Sequence, residues 1–155
     1  MQFREQIPDA KLIMAGEGRM EPVLRGMVKR MGLDQNVFFY PLACNVSEIL
    51  PALDIFVMPS RQEGLGLSIM EAQASGVPVV ASRVGGIPSL IEDGKTGFLV
   101  EPENPDALAR TIVAALRDKN RLARVAKAGR EFVRENCSAD TMVEKTLTFY
   151  ATVNR

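Results

Sequence analysis

Two glutamates separated by seven residues, Glu63 and Glu71, lie in the most informative stretch of the chain, residues 59–81. Gly64 and Gly66 stand between them. A pair of carboxylates is suited to holding hydroxyl groups, because an ionised carboxylate accepts hydrogen bonds at both oxygens. Glycine lacks a Cβ, so a ligand's oxygens can approach the backbone, and a helix that starts here would offer unpaired N–H groups to an anion. The stretch therefore predicts a site for a ligand that carries hydroxyl groups and phosphate.

The elements around this stretch form a strand, loop, helix and strand in succession. An apolar strand at residues 55–58 leads into the glycine loop, and a short helix then leads through Pro78 to a second apolar strand. In an open parallel sheet such a loop lies at the carboxyl end of its strand, where these sheets bind ligands. The alternative is that Glu63 only favours the helix start through the helix dipole and that Glu71 is a solvated helix residue. The spacing of the glutamates alone does not decide between these interpretations.

The rest of the chain alternates short apolar strands with helices up to residue 104 and then continues as helices only. Strands that are apolar on both faces need cover on each side, which predicts an α/β fold with a Rossmann-like parallel sheet, helices on both faces and C-terminal helices. Asn45 is predicted to cap a short helix up to about residue 53, and Ser138 to cap the last helix, from residue 139 to about 152. The predicted strands are residues 11–15, 37–40, 55–58, 79–82 and 98–100, and the other long helices are residues 20–31, 105–118 and 121–135.

The length, charge and residue composition of the chain limit the classes of function that fit it. With 155 residues, the chain is predicted to form one domain over residues 1–155. Lys+Arg and Asp+Glu number 19 each, so bulk charge does not favour nucleic acid as a partner, and no apolar run approaches a membrane span. The chain has no histidine, and Cys44 and Cys137 lack the spacing of a zinc or disulfide motif. These features predict a cytoplasmic protein with reduced cysteines.

A run of motifs resembles a known family. Residues 63–81 read Glu-Gly-Leu-Gly-Leu-Ser-x-x-Glu-Ala-x-Ala-x-Gly-x-Pro-Val-Val-Ala, which looks like the signature of the retaining family 4 glycosyltransferases of the GT-B fold. Shorter motifs occur in the family's order along nearly the whole chain: Pro8-Asp9-Ala10-Lys11-Leu12, Gly16-x-Gly18, Pro59-Ser60, Val84-Gly85-Gly86-Ile87-Pro88 and Asp93-Gly94-x-x-Gly97. The resemblance implies the C-terminal half of such an enzyme, its nucleotide-sugar-binding donor domain.

The resemblance also implies roles for residues. Glu71 would hold the ribose hydroxyls of the nucleotide, and Glu63 would hold hydroxyls of the donor sugar, which makes these two the candidate catalytic residues. The candidate ligand-binding residues around them are Gly64, Leu65 and Gly66 for the sugar, Gly66, Leu67 and Ser68 for the diphosphate, and Gly16, Glu17, Gly18, Pro41 and Leu42 along the nucleotide. Arg61 and Lys95 are further candidates for a phosphate contact, although a surface charge is the simpler interpretation of Arg61.

The chain departs from the family's pattern in three ways. Leu65 stands where phenylalanine is common, and Ser89 where glutamate is common. The family's donor domain also begins with one more strand and helix, which carry an Arg and a Lys for the diphosphate, and an acceptor domain precedes it. The absent strand would be central, between residues 11–15 and 55–58, and would leave two unpaired strand edges, which favour association. We therefore expect the sheet to close this gap or to be completed by another copy of the chain.

The resemblance implies transfer of a sugar, with retention, from a nucleoside diphosphate sugar to a hydroxyl acceptor, as in polysaccharide biosynthesis. The donor would be a UDP-, GDP- or ADP-sugar, with no cofactor and no metal, because no Asp-x-Asp motif is present. The acceptor would be bound by the absent N-terminal domain, so the isolated chain is expected to turn over poorly. The alternatives are a nucleotide-sugar binding module without turnover, and another GT-B enzyme such as a nucleotide-sugar epimerase.

Overall fold

The computed structural model describes residues 2–41 and 46–153, and the predicted cap Asn45 lies outside them. The chain divides into two compact units, Met1–Ile49 and Leu50–Arg155. The single domain that the length of the chain predicts over residues 1–155 stays a prediction.

The first unit is a parallel strand pair with its helices. Its elements are α1 (Gln2–Gln6), β1 (Leu12–Ala15), α2 (Glu21–Arg30), β2 (Val37–Tyr40) and α3 (Val46–Ile49). β1 and β2 pair in parallel, with Leu12 opposite Val37 and Ala15 opposite Tyr40. The Arg25 guanidinium of α2 lies 4.2 Å from the centre of the Phe39 ring of β2, which attaches the helix to this strand. The strands and α2 were predicted from the sequence, whereas α1 was not.

The second unit contains the predicted strand, loop, helix and strand. Its elements are a 3₁₀ turn (Leu50–Ala52), β3 (Phe56–Met58), α4 (Leu67–Ala74), β4 (Val79–Ser82), a 3₁₀ turn (Ile87–Ser89), β5 (Phe98–Val100), α5 (Pro105–Arg117), α6 (Lys119–Asn136) and α7 (Ala139–Val153). The strand order is β3-β4-β5, and both pairings are parallel. The predicted α/β class with a parallel sheet is thus confirmed, followed by three C-terminal helices.

The core of the second unit surrounds β4, in which all four residues are buried. Because successive side chains of a strand point to opposite faces, this burial means that both faces of β4 are covered. On one face, Val80 packs in a cluster with residues of β5, α5 and α6, namely Phe98, Val100, Ala115 and Val125. The glycine loop that precedes α4 is therefore attached to the most buried strand of the chain.

Side-chain caps define where the three C-terminal helices begin. The Asn104 side chain accepts a hydrogen bond from the Ala107 N–H at 2.9 Å, and Asp118 accepts one from the Arg121 N–H at 2.9 Å. The Asp118 cap explains why α6 begins at Lys119, earlier than the predicted residue 121. The predicted Ser138 cap is confirmed, since its hydroxyl accepts a hydrogen bond from the Thr141 N–H at 3.1 Å.

The strand pairs of each unit leave edge strands among the described residues. Among the described residues, β1 pairs only with β2, and β3 pairs only with β4, so each has one edge without a partner. The expectation that the sheet closes the gap or is completed by another copy of the chain stays a prediction. Apolar side chains on β1 are left exposed, with Leu12 at 50% and Ile13 at 37%.

Within residues 2–41 and 46–153, no helix combines the length and apolar character needed to cross a bilayer.

We expect Gly129→Ala to destabilise the second unit. A β-carbon at Gly129 of α6 would lie 2.6 Å from the Thr96 carbonyl oxygen and 3.2 Å from the Gln73 Nε2. Gln73 is 1% exposed, and its Nε2 donates to that same carbonyl at 3.0 Å, so the added methyl has no free space. Overpacking of this kind costs about 1–3 kcal/mol.

Denaturant unfolding measures this loss of stability. The matched control is Gly26→Ala in α2, where the nearest atom is the Arg30 Nη1 at 3.5 Å and alanine should gain up to about 1 kcal/mol through helix propensity. A Gly129→Ala protein as stable as the parent would show that α6 does not pack against the Thr96 turn in this way.

Candidate functional site

The glycine loop turns into α4 at Gly66. Gly66 has φ 74°, in the left-handed region, and stands at the N-cap of the helix. A β-carbon there would lie 3.2 Å from Leu90 Cδ1 and 3.3 Å from Ile69 Cδ1. Both the torsion and the crowding therefore favour glycine at this position.

The start of α4 presents free backbone donors. The N–H groups of Ile69 and Met70 both donate to the Gly66 carbonyl, at 3.0 and 3.3 Å. The N–H groups of Leu67 and Ser68 have no acceptor in the described parts of the chain. Because the N-terminus of a helix also carries a partial positive charge, these donors can receive an anion such as a phosphate. This agrees with the position predicted for the diphosphate, whose contact with Leu67 and Ser68 stays a prediction.

Glu63 lies at the start of the glycine loop and is half-buried. Its carboxylate Oε1 accepts a hydrogen bond from the Gly64 N–H at 3.1 Å, and its backbone carbonyl accepts one from the Gly86 N–H at 3.2 Å. The backbone of Glu63 is thus held from outside the loop, while its carboxylate borders the exposed Gly64. A ligand hydroxyl could share the carboxylate with the Gly64 N–H.

Glu71 lies one turn inside α4, on its exposed face. Leu67, Glu71 and Ala74 are exposed at the i, i+4 and i+7 spacing of a single helix face, whereas Ile69 and Ala72 are buried. The Glu71 carboxylate makes no hydrogen bond or ion pair with any described residue. It is therefore available to a ligand, and its predicted contact with ribose stays a prediction.

Two exposed leucines accompany the glutamates. Leu65 is 57% exposed and Leu67 is 62% exposed, although both are large apolar side chains. Leu65 belongs to the loop between Gly64 and Gly66, and Leu67 is the first residue of α4. The surface around the free N–H groups is consequently partly apolar.

A second glycine turn, after β4, touches the first loop. Residues 84–91 follow another parallel strand, which predicts that they lie beside the glycine loop at the same edge of the sheet. The hydrogen bond from the Gly86 N–H to the Glu63 carbonyl confirms this prediction. Gly85 and Gly86 were not among the predicted site residues. The sequence signal for these two residues is the Gly-Gly pair soon after the buried strand β4. The spacing of the residues does not show which backbone atoms the pair contacts.

The predicted nucleotide-border residues lie in the first unit. Gly16, Glu17 and Gly18 follow β1, and Pro41 follows β2. The Gly16 N–H donates to the Tyr40 carbonyl at 3.1 Å, so the carboxyl ends of both strands meet here. Gly16 has φ 139°, and a β-carbon at Gly16 or Gly18 would meet no atom within 4 Å. Leu42 lies outside the described residues, and a role for this group at the nucleotide stays a prediction.

The two cations proposed for phosphate contact are both paired. Arg61 Nε lies 2.9 Å from Glu103 Oε1, and Lys95 Nζ lies 2.8 Å from Glu92 Oε2; all four side chains are exposed. Such surface pairs contribute little to stability. Arg61 is thus a surface charge, as its simpler interpretation predicted. Lys95 lines a groove of about 300 Å³ that contains neither predicted glutamate; its other lining residues are Gly94, Arg121, Arg124, Val125 and Ala128.

Comparison with known proteins identifies relatives. The family model described as Glycosyl transferases group 1 matches residues 1–132. The N-acetyl-alpha-D-glucosaminyl L-malate synthase of Bacillus anthracis is 33% identical over 147 residues, which cover 95% of this chain and 39% of the synthase. The GDP-mannose-dependent alpha-(1-6)-phosphatidylinositol monomannoside mannosyltransferase of Mycolicibacterium smegmatis is 36% identical over 146 residues, covering 87% of this chain and 38% of that enzyme.

A solved structure shares the fold. The crystal structure of Anabaena Alr3699/HepE in complex with UDP superposes with a TM-score of 0.88 at 24% identity, covering 97% of this chain and 44% of that one. This similarity confirms the predicted GT-B type of α/β fold. The chain spans only 39% and 38% of the two curated relatives. The family match over residues 1–132 and these identities show that the chain belongs to the glycosyl transferases of group 1.

Proposed function

We propose that this chain is the donor-binding part of a glycosyltransferase that moves a sugar, with retention, from a nucleoside diphosphate sugar to a hydroxyl acceptor. The observation that carries the proposal is the arrangement at α4: free Leu67 and Ser68 N–H groups stand between the carboxylates of Glu63 and Glu71 along the chain. Membership of group 1 supports it. A cytoplasmic location and a part in polysaccharide biosynthesis belong to the same proposal.

Each part of the donor would meet its own group in this site. Glu71 would accept hydrogen bonds from the ribose hydroxyls, and Glu63 with the Gly64–Gly66 backbone would bind the sugar. The diphosphate would lie on the N–H groups of Leu67 and Ser68, where the helix dipole favours negative charge. Gly16, Glu17, Gly18, Pro41 and Leu42 would border the nucleotide.

In this reaction the protein has two main tasks: to position the reactants and to stabilise the negative charge of the leaving group. The bond between the anomeric carbon and the diphosphate oxygen breaks with its electron pair on that oxygen. The acceptor oxygen forms the new glycosidic bond, and its hydroxyl proton passes to the departing diphosphate. Negative charge builds up on the departing diphosphate, and preoriented backbone donors stabilise it most when charge develops. The start of α4 supplies such donors without a metal ion.

The relatives indicate which donors to test first. The HepE structure contains UDP, and the mycobacterial relative is named as GDP-mannose-dependent. Both nucleotides share ribose hydroxyls and a diphosphate, and these are the groups that Glu71 and the start of α4 would bind. UDP-glucose and GDP-mannose are therefore the first nucleotide sugars to compare, with ADP-glucose as the third.

A second candidate is a binding module that takes up nucleotide sugar without turnover. The observation that favours it is length, because the chain spans about two fifths of its curated relatives. Acceptor binding and full turnover would then depend on a further domain.

The unpaired edges of β1 and β3 could also be completed by another copy of the chain. Size-exclusion chromatography with light scattering tests this self-association.

We expect calorimetry to detect binding of UDP or GDP to the unaltered chain. The diphosphate should bind more tightly than the corresponding monophosphate, because the second phosphate reaches the free N–H groups of α4. A product assay with the matching nucleotide sugar and a simple sugar acceptor separates transfer from binding alone. Absence of binding by UDP, GDP and ADP, and by their sugars, at millimolar concentration would refute the proposed function.

A further inference from the structure

The turn after β4 lies so close to the glycine loop that there is no room for a side chain at Gly85 or Gly86. A β-carbon at Gly85 would overlap the Glu63 carbonyl oxygen and lie 3.0 Å from the Glu63 carbonyl carbon. One at Gly86 would overlap the Gly64 carbonyl oxygen and lie 3.2 Å from its carbon. The opposing atoms belong to the backbone, so they cannot move aside as a flexible side chain would. The two glycines are in direct contact with the backbone that carries Glu63.

Space rather than torsion requires glycine at Gly86. Gly85 has φ 51°, in the left-handed region, so a side chain there would be strained as well as crowded. Gly86 has φ −79°, which any residue adopts. Its N–H donates to the Glu63 carbonyl at 3.2 Å. Gly86 therefore offers a clean test, because alanine there changes the spacing between the two turns without imposing a backbone torsion of its own.

The turn is itself held in place and reaches the far end of the loop. The Gly86 carbonyl accepts hydrogen bonds from the Ser89 hydroxyl at 2.7 Å and from the Ser89 N–H at 3.1 Å. Next along the chain, the buried Leu90 lies against Gly66. The segment 85–90 thus supports the loop at Glu63, at Gly64 and again at Gly66.

We propose that Gly85 and Gly86 are positioning residues for the sugar part of the donor. Their contacts with the backbone of Glu63 and Gly64 fix the position of the loop Glu63–Gly66. They therefore determine where the Glu63 carboxylate and the backbone groups of the loop meet the sugar. Glu71 is carried by α4, which begins after the Glu63 and Gly64 contacts and also packs against α6, so we expect the nucleotide part of the ligand to depend less on these contacts. The inference rests on the proposed function for the identity of the ligand and on the backbone contacts alone for the position of the loop.

The test compares Gly86→Ala with the unaltered chain in two measurements. In ¹H–¹⁵N NMR spectra, we expect the amide signals of Gly64, Leu65 and Gly66 to shift most. In calorimetry with UDP and UDP-glucose, and with GDP and GDP-mannose, we expect the affinity for the nucleotide sugar relative to its nucleotide to fall roughly ten- to a hundredfold, with the affinity for the nucleotide unchanged. Ser89→Ala, which removes only the 2.7 Å hydrogen bond, should shift the same amides less and keeps the test valid if Gly86→Ala does not fold.

Gly129→Ala is the matched control, because it introduces a clash with the Thr96 backbone and with Gln73 on the buried face of α4, but not with the glycine loop. It should lose stability but keep the relative affinity for the nucleotide sugar. Three results would overturn the inference. The amide signals of residues 64–66 do not shift in Gly86→Ala; or Gly86→Ala loses equal affinity for the nucleotide and the nucleotide sugar; or Gly129→Ala shows the same fall in relative affinity for the nucleotide sugar. If the unaltered chain binds neither ligand, the proposed function fails, while the amide shifts still decide whether the turn sets the loop.

Discussion

Replacing Glu71 by alanine weakens the binding of UDP or GDP by roughly ten- to a hundredfold in our account. The carboxylate is exposed on α4 and has no partner among the described residues, so its removal leaves no buried charge and costs little stability. A hydrogen bond to a charged group contributes about 1.5–3 kcal/mol, which corresponds to this loss of affinity. Calorimetry with the nucleotide alone measures it directly.

The control for this change is Glu144→Ala on α7, an exposed glutamate with no ion pair among the described residues. It removes the same charge from the chain, so any general electrostatic effect on a nucleotide anion appears in both proteins. Unchanged affinity in Glu71→Ala, or an equal change in the two variants, would mean that Glu71 is a solvated helix residue and nothing more.

Replacing Glu63 by alanine removes the additional affinity for the nucleotide sugar but leaves the affinity for the nucleotide. The reason is geometric: the Glu63 carboxylate borders the loop at Gly64, whereas the nucleotide is assigned to Glu71 and the start of α4. In a protein that joins this chain to an acceptor-binding domain, transfer should fall at least roughly a hundredfold, because the donor sugar is no longer oriented at the reacting carbon.

Glu63→Gln separates the charge of this residue from its shape. Glutamine retains one acceptor oxygen for the Gly64 N–H and for a sugar hydroxyl, so its affinity for the nucleotide sugar should lie between those of the parent and the alanine variant. Normal binding of the nucleotide sugar by Glu63→Ala would place the sugar away from this loop and would contradict the assignment.

Local patterns were sufficient to predict much of the fold. Val79–Ser82 and Phe98–Val100 are short apolar runs bounded by glycine or proline, and both are strands with the predicted bounds. One predicted amphipathic helix begins at Pro105, as expected, and the predicted Ser138 cap precedes another. These features depend on neighbouring residues, so the sequence contains the information needed to predict them.

The sequence predicted that residues 84–91 lie beside the glycine loop, but it did not show which atoms are in contact. The contact of Gly85 and Gly86 with the Glu63 loop joins two turns that are far apart in sequence. A glycine pair after a strand predicts a tight turn, but which backbone that turn touches is set by the register of β3 against β4.

The most direct test is a crystal structure of this chain with a bound nucleoside diphosphate sugar. We expect carboxylate oxygens of Glu71 and Glu63 within about 3 Å of ribose and sugar hydroxyls, respectively, and phosphate oxygens on the N–H groups of Leu67 and Ser68. A ligand bound instead in the groove beside Arg121 and Lys95, with both glutamates facing solvent, would contradict it.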